Sequence, residues 1–109
     1  MKLSLKEKKV LEEFKRRIKE KYFNEIQDVL VFGSKARGNA GKESDIDIIV
    51  ITSSEDWKKG DKIREIGYGL DEDIGYKLSI QVISKSHIAY LRRNSFQFIK
   101  NVEEEALFL

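Results

Sequence analysis

Residues 33–50 read GSKARGNAGKESDIDIIV, and this stretch decides the fold and the chemistry of the chain. It begins where a short apolar run, residues 29–32, stops abruptly at a Gly-Ser pair. It runs into residues 46–52, which are β-branched and nearly continuously apolar, as is typical of a central strand covered on both faces. Between the two runs the chain is polar and rich in glycine, which predicts a turn, a short helix and a loop.

The sequence on either side predicts further helices and one more strand. Ser4 and Glu7 match a capping box, and apolar residues then recur every four positions, so we predict a helix over residues 4–23. Residues 63–74 fit a second amphipathic helix. Residues 77–83 alternate between polar and apolar side chains, which predicts a strand with one face of each kind.

Two more helices complete the chain, the last of them over residues 98–106. The resulting order is α, β, short α, β, α, β, α, α. It predicts an α+β fold, a small mixed β-sheet packed by helices mainly on one side. The 109 residues are about one ordinary domain and contain no repeat or linker, so we predict a single domain over residues 1–109.

Composition excludes several kinds of site. The chain has no cysteine, which excludes disulfides and thiolate metal sites and fits a cytoplasmic protein. It has one histidine, so a metal would be held by carboxylates, which favours magnesium, manganese or calcium. The 21 basic and 19 acidic residues nearly cancel, which argues against a dedicated nucleic-acid-binding protein. No apolar run approaches the roughly 20 residues of a membrane span.

Two aspartates, Asp45 and Asp47, stand two residues apart where the strand 46–52 begins. Strand side chains alternate between faces, so both carboxylates point the same way, with their Cα atoms about 6–7 Å apart. Two like charges this close are unfavourable unless a cation joins them, and hard carboxylate oxygens suit Mg²⁺. The alternative is a pair of solubilising charges at a strand end, but charges next to a buried run are unfavourable without a purpose.

The Gly33-Ser34 pair is a candidate anion site. Glycine lets the backbone approach a ligand closely, and a helix that begins here offers free N–H groups to an anion. The Ser34 hydroxyl adds a donor, and Arg37, one turn on, adds positive charge. A phosphate beside two magnesium-binding aspartates is the layout of a nucleotidyl-transfer site. An ordinary tight turn and a surface Arg37 remain the alternatives.

The pattern resembles a known family. Gly33-Ser34, ten intervening residues and Asp45-x-Asp47 are similar to the signature of the DNA polymerase β-like nucleotidyltransferase superfamily. Ala36-Arg37-Gly38, with Ser44 just before the first aspartate, resembles its minimal nucleotidyltransferase branch. The chain length, the leading helix and residues 98–105 also look like that branch. The resemblance covers essentially the whole chain and implies the nucleotidyltransferase fold.

The resemblance also implies roles for single residues. Gly33 and Ser34 would hold the β- and γ-phosphates of ATP or another nucleoside triphosphate. The two aspartates would be the catalytic pair and ligate Mg²⁺ or Mn²⁺. Arg37 would lie near the phosphates or pair with a carboxylate instead. Ser44 would orient Asp45, or only cap a local turn.

The chain departs from the superfamily at its third carboxylate, which often lies on a later strand and helps to take a proton from the acceptor. The matching strand here offers Lys77, Ser79 and Gln81, none of them acidic. The acidic residues 71–73 are predicted to form the solvated end of a helix. Trp57 is predicted to be a partly buried anchor, with stacking on a base as the alternative.

The resemblance implies transfer of a nucleoside monophosphate, AMP from ATP, to a hydroxyl with release of pyrophosphate. Members of the branch are commonly paired with small helical HEPN proteins, often as toxin–antitoxin modules, and some attach AMP to a tyrosine of that partner. A HEPN partner and an antitoxin role are therefore expected. The alternative is a catalytically weak protein that binds nucleotide or partner and neutralises by binding only. Modification of a nucleic acid is a third hypothesis, which the near-neutral charge disfavours.

Overall fold

The computed structural model describes residues 3–38 and 44–109. In chain order its elements are α1 Leu5–Lys21, β1 Ile26–Phe32, α2 Ser34–Arg37, β2 Ile46–Thr52, α3 Trp57–Tyr68, α4 Glu72–Gly75, β3 Leu78–Ser84, α5 Lys85–Arg93, α6 Gln97–Glu105 and β4 Leu107–Phe108. The longest of these helices, α1, has 17 residues, and none of them is both long and apolar enough to cross a membrane.

The four strands form one mixed sheet in the order β3-β2-β1-β4. Strand β2 pairs antiparallel with β1 and parallel with β3, while the two-residue β4 pairs antiparallel with β1. In this register Asp47 lies between Phe32 of β1 and Ser79 of β3. The predicted α+β class with a small mixed sheet is confirmed.

Helices cover both faces of the sheet, so the prediction that they pack mainly on one side is wrong. On one face α1 and α3 bury Phe14 and Ile63 against alternate residues of the strands. On the other face α5 and α6 bury Ile88 and Ile99 against the remaining ones. The reason lies in β2, where three consecutive residues, 48–50, are fully buried and need apolar cover on both sides.

Helix α1 begins as predicted, because Ser4 caps it and Glu7 completes the capping box. The helix predicted over residues 63–74 is wrong in its bounds. The helix starts at Trp57, with Asp56 as its N-cap, and ends at Tyr68, with Gly69 as its C-cap. Residues 71–73 then begin α4 instead of ending a helix, because the Asp71 side chain accepts hydrogen bonds from the first free N–H groups of that turn.

Candidate active site at the start of strand β2

The two aspartates lie where β2 begins, and Asp47 is on the sheet face that α5 and α6 cover. Side chains alternate along β2, so Asp47 shares this face with Ile49, which packs against those helices. Asp47 is half-buried, and Asp45 is exposed just before the strand. The structure therefore brings both predicted carboxylates close together at the start of β2.

The electrostatics of this pair favour a positive charge beside it. Burial raises the pKa of the Asp47 carboxyl, and the negative charge of Asp45 raises it further. Arg37 acts in the opposite direction and lowers the same pKa. The ionised pair is thus held at a free-energy cost that a cation between the carboxylates would offset. Since both groups offer only hard oxygen donors, they fit Mg²⁺ or Mn²⁺.

The turn at Gly33 presses directly against the Asp47 carboxylate. Gly33 has φ +76°, and a Cβ atom at this position would lie 2.5 Å from Asp47 Oδ2. Helix α2 starts at the next residue, and the Arg37 N–H donates to the Gly33 carbonyl across 3.1 Å. Turn, short helix and carboxylate therefore form one unit, in which only glycine leaves room beside the acid.

Arg37 pairs with a carboxylate, which was one of the two predicted alternatives. Its guanidinium donates to Oε2 of Glu105, at the end of α6, across 2.9 Å. Both side chains are partly exposed, so the pair contributes at most about 1 kcal/mol to stability. Arg37 thus pairs with Glu105 and also acts electrostatically on Asp47. A phosphate bound here would compete with Glu105 for the guanidinium.

The roles of Ser34 as a hydrogen-bond donor to phosphate and of Ser44 as the residue that orients Asp45 stay predictions. Ser34 begins α2, next to the Gly33 turn. Ser44 is half-buried and directly precedes Asp45. The loop predicted between them falls partly outside the described residues, because it includes residues 39–43.

Strand β3 places Ser79, one of the two candidates for the position of the third carboxylate, beside Asp47. Gln81 follows two residues later and pairs with Ile49. Lys77 does not join them, since its ammonium lies 3.7 Å from Glu7 Oε2 on α1. Within residues 3–38 and 44–109, no three acidic or histidine side chains cluster to hold a metal ion. Two carboxylates are thus what this part of the chain offers a cation.

Sequence reasoning missed a buried ion pair beneath the turn. Lys35 of α2 and Glu7 of α1 are each 3% exposed, with Lys35 Nζ 3.3 Å from Glu7 Oε2. The capping-box pattern predicts the contact of Glu7 with Ser4 but not its burial or its contact with Lys35. The spacing of Glu7 was the available signal, since this residue falls on the helical stripe of three buried residues, Leu11, Phe14 and Ile18.

A cleft of about 960 Å³ runs along the outer edge of β3, between α3 and α5. Gln81 lines it and connects it to the sheet face of the aspartates. Trp57 stands at the cleft and is 69% exposed, so the prediction that it is a partly buried anchor is wrong. Tyr90 also lines the cleft and stacks on His87, with ring centroids 5.9 Å apart.

Comparison with known proteins finds nucleotidyltransferases. A family model described as a nucleotidyltransferase domain matches residues 7–108. The chain is 31% identical over 109 residues to "Putative protein adenylyltransferase MJ0604" of Methanocaldococcus jannaschii, covering 96% of this chain and 99% of the relative. It is 28% identical over 102 residues to "Putative protein adenylyltransferase MJ1379" of the same organism, covering 94% and 93%.

A solved structure supports the fold. The crystal structure of "a putative nucleotidyltransferase from Sulfolobus solfataricus" superimposes with a TM-score of 0.56. The alignment covers 92% of this chain and 76% of that one, at 17% sequence identity. At this identity the likeness concerns the arrangement of helices and strands.

Proposed function

Because the chain belongs to the nucleotidyltransferase domain family and is a transferase of that type, we propose that it transfers AMP from ATP to a hydroxyl of another protein with the help of Mg²⁺. The observation that carries the proposal is the close approach of the Gly33 turn to the Asp47 carboxylate. In this proposal the phosphate cradle and the cation site lie side by side, as nucleotidyl transfer requires.

In this proposal different residues bind the β- and γ-phosphates and the metal ion that acts at the α-phosphorus. The turn at Gly33 and the backbone of α2 would receive the β- and γ-phosphates, which leave as pyrophosphate. Asp45 and Asp47 would hold Mg²⁺, which when bound neutralises the triphosphate and the charge that develops at the α-phosphorus. Arg37 would exchange its contact with Glu105 for one with a phosphate oxygen.

The transfer itself forms one bond and breaks one. The acceptor oxygen bonds to the α-phosphorus, the bond from that phosphorus to the bridging oxygen breaks, and the acceptor loses its proton to a base. Ser79 lies beside Asp47 on the neighbouring strand, and a serine hydroxyl is not a base that could take this proton at neutral pH. This observation favours the second candidate function, a domain that binds nucleotide or partner and turns over slowly.

Two measurements on the intact chain test the proposal. Calorimetry should show ATP binding that requires Mg²⁺, because the cation joins the carboxylates to the phosphates. Transfer of label from α-labelled ATP to a protein acceptor should then distinguish catalysis from binding. Binding without transfer to any acceptor would support the binding-only function, and the absence of Mg²⁺-dependent binding would contradict both.

We propose further that the acceptor is a small helical HEPN-type protein and that this chain acts as its antitoxin. The relatives' names, which state protein adenylyltransferase, support a protein as acceptor. Three exposed aromatic residues, Trp57, Tyr90 and Phe96, lie at or near the β3 cleft and support a protein-docking surface there.

We expect the partner to copurify with this chain when the two are expressed together. Intact mass of the partner should then increase by one or more AMP units, since transfer to a tyrosine hydroxyl adds that mass. Copurification without a mass change would favour neutralisation by binding alone. If the two proteins do not associate at all, the partner proposal is wrong.

Replacement of Ser79 with aspartate tests the missing acid. Ser79 neighbours Asp47 on the same sheet face, so Ser79→Asp places a third carboxylate beside the proposed cation. We expect the transfer rate to rise by up to about 100-fold, the lower end of general-base contributions. Without Mg²⁺ the same variant should be less stable than the parent, because a third negative charge joins the pair.

Gln81→Asp is the matched control for this variant. It adds the same charge to the same face of β3, but beside Ile49 rather than Asp47. We expect no gain in transfer rate from it in a labelled-ATP assay. Equal gains from both variants would show that the added charge acts generally and not as the missing acid.

A further inference from the structure

A buried cluster of Glu7, Lys35 and Lys77 connects α1 to both sides of the candidate active site. Glu7 and Lys35 are each 3% exposed, and the Lys77 side chain is 10% exposed. Lys35 Nζ lies 3.4 Å from Glu7 Oε1 and 3.3 Å from Oε2, and Lys77 Nζ lies 3.7 Å from Oε2. The carboxylate of Glu7 thus faces two ammonium groups in the protein interior.

Each lysine belongs to a different half of the site. Lys35 is the second residue of α2, two positions after the Gly33 turn. Lys77 precedes β3, and its carbonyl accepts a hydrogen bond from the Ile46 N–H across 2.9 Å, next to Asp45. Glu7 therefore joins the segment that would hold phosphate to the segment that carries the aspartates.

Glu7 is itself fixed in orientation. Its Oε1 accepts a hydrogen bond from the Ser4 N–H across 2.8 Å, as part of the capping box of α1. Burial alone would raise the pKa of Glu7, but the hydrogen bond from Ser4 and the two lysines lower it overall, so the group is ionised at neutral pH. A charged, buried and oriented carboxylate is suited to hold two backbone segments in one relative position.

We propose that Glu7 is a positioning residue for nucleotide transfer, acting through Lys35 on the Gly33 turn and through Lys77 on the start of β2. It does not touch the substrate. Buried ion pairs contribute little net stability compared with apolar packing, but removal of one partner leaves the other charge buried without compensation. Loss of Glu7 would therefore displace Lys35 and Lys77 and, with them, the two segments.

The test compares Glu7→Gln with the parent by two readouts. The first is the set of backbone amide shifts of residues 33–38 and 45–47 in the ligand-free protein, which reports displacement directly. The second is the Kd for MgATP, which rests on the proposed function. We expect those amides to move and the Kd to rise about tenfold, the lower end of effects of outer-shell groups at metal sites.

Ser4→Ala is the matched control, because it removes the other side chain of the same capping box and leaves the Glu7 ion pairs in place. It should lower stability without changing the amide shifts at residues 33–38 or the Kd. Lys35→Met is the second variant, because it removes the ammonium group of the ion pair and leaves Glu7 unchanged. It should reproduce the amide shifts and the loss of affinity, and the double variant with Glu7→Gln should add little to either.

The outcomes separate this inference from the proposed function. If the parent does not bind MgATP, the proposed function fails, and the amide shifts alone decide whether Glu7 positions the two segments. If the amides stay in place in both Glu7→Gln and Lys35→Met, the inference is overturned. It is also overturned if Ser4→Ala moves the amides and the Kd as much as those variants do, because general loss of stability would then explain the effect.

Discussion

Asp45→Asn together with Asp47→Asn is expected to abolish Mg²⁺-dependent nucleotide binding and leave the domain folded. The two carboxylates are the acidic ligands that the described part of the site offers a cation, and asparagine removes both charges with little change in shape. Transfer should fall by at least about 10²–10³-fold, since loss of one preorganised electrostatic group already has an effect of that size. Calorimetry with MgATP and circular dichroism measure the two parts of this result.

The same double variant should be more stable than the parent at neutral pH. Asp47 has a raised pKa in the folded state, because it is partly buried and faces Asp45. A carboxyl whose pKa is raised in the folded state lowers the stability of the protein as pH rises. The loss occurs between its ordinary pKa, 3.8, and its raised pKa. The parent should therefore be less stable than the variant at pH 7 in urea unfolding without metal, and the difference should shrink below pH 3.8.

Two results would contradict this account of the aspartates. MgATP binding by the double variant with parental affinity would place the nucleotide elsewhere. A double variant that is less stable than the parent at pH 7 without metal would show that the ionised pair is structural. The gain in stability combined with a loss of function is the pattern expected of side chains kept for a ligand.

The sequence predicts the centre of the fold better than its periphery. Strand β2 has the predicted bounds, Ile46–Thr52, because a segment buried on both faces must be apolar almost throughout. The start of α1 is also predicted, because the capping box between Ser4 and Glu7 is local in sequence. Strand β4 was not predicted, since two residues, Leu107–Phe108, carry no periodicity and pair only through β1.

In the candidate site, too, local features could be predicted from the sequence and long-range contacts could not. The proximity of the Asp45 and Asp47 carboxylates is predicted from strand alternation alone. The contacts of Lys35 and Arg37 are not, because their partners lie 28 and 68 residues away in the chain. A lysine or arginine in a polar stretch has the same local pattern whether it faces solvent, a phosphate or a buried glutamate. Only the packing of α1 and α6 on opposite faces of the sheet decides between them.

Gly33→Ala should strongly reduce transfer. Alanine at φ +76° costs about 1–2 kcal/mol in the left-handed region. Its Cβ would also lie 2.5 Å from Asp47 Oδ2, so either the turn or the carboxylate must move. A displacement of about 1 Å at reacting groups lowers rates by about 100-fold, and we expect a loss of that size in a labelled-ATP assay.

Gly38→Ala separates backbone strain from displacement of the carboxylate. Gly38 has φ +81°, so alanine there carries a similar strain of about 1–2 kcal/mol, but a Cβ would meet no atom of residues 3–38 and 44–109 within 4 Å. Both variants should therefore lose stability in urea unfolding, Gly33→Ala at least as much as Gly38→Ala, while only Gly33→Ala loses MgATP affinity and transfer. Equal losses of transfer in the two variants would show that strain alone is responsible. Full activity of Gly33→Ala would show that the Asp47 carboxylate can move aside without consequence, and the close approach of turn and acid would then no longer support a nucleotide site.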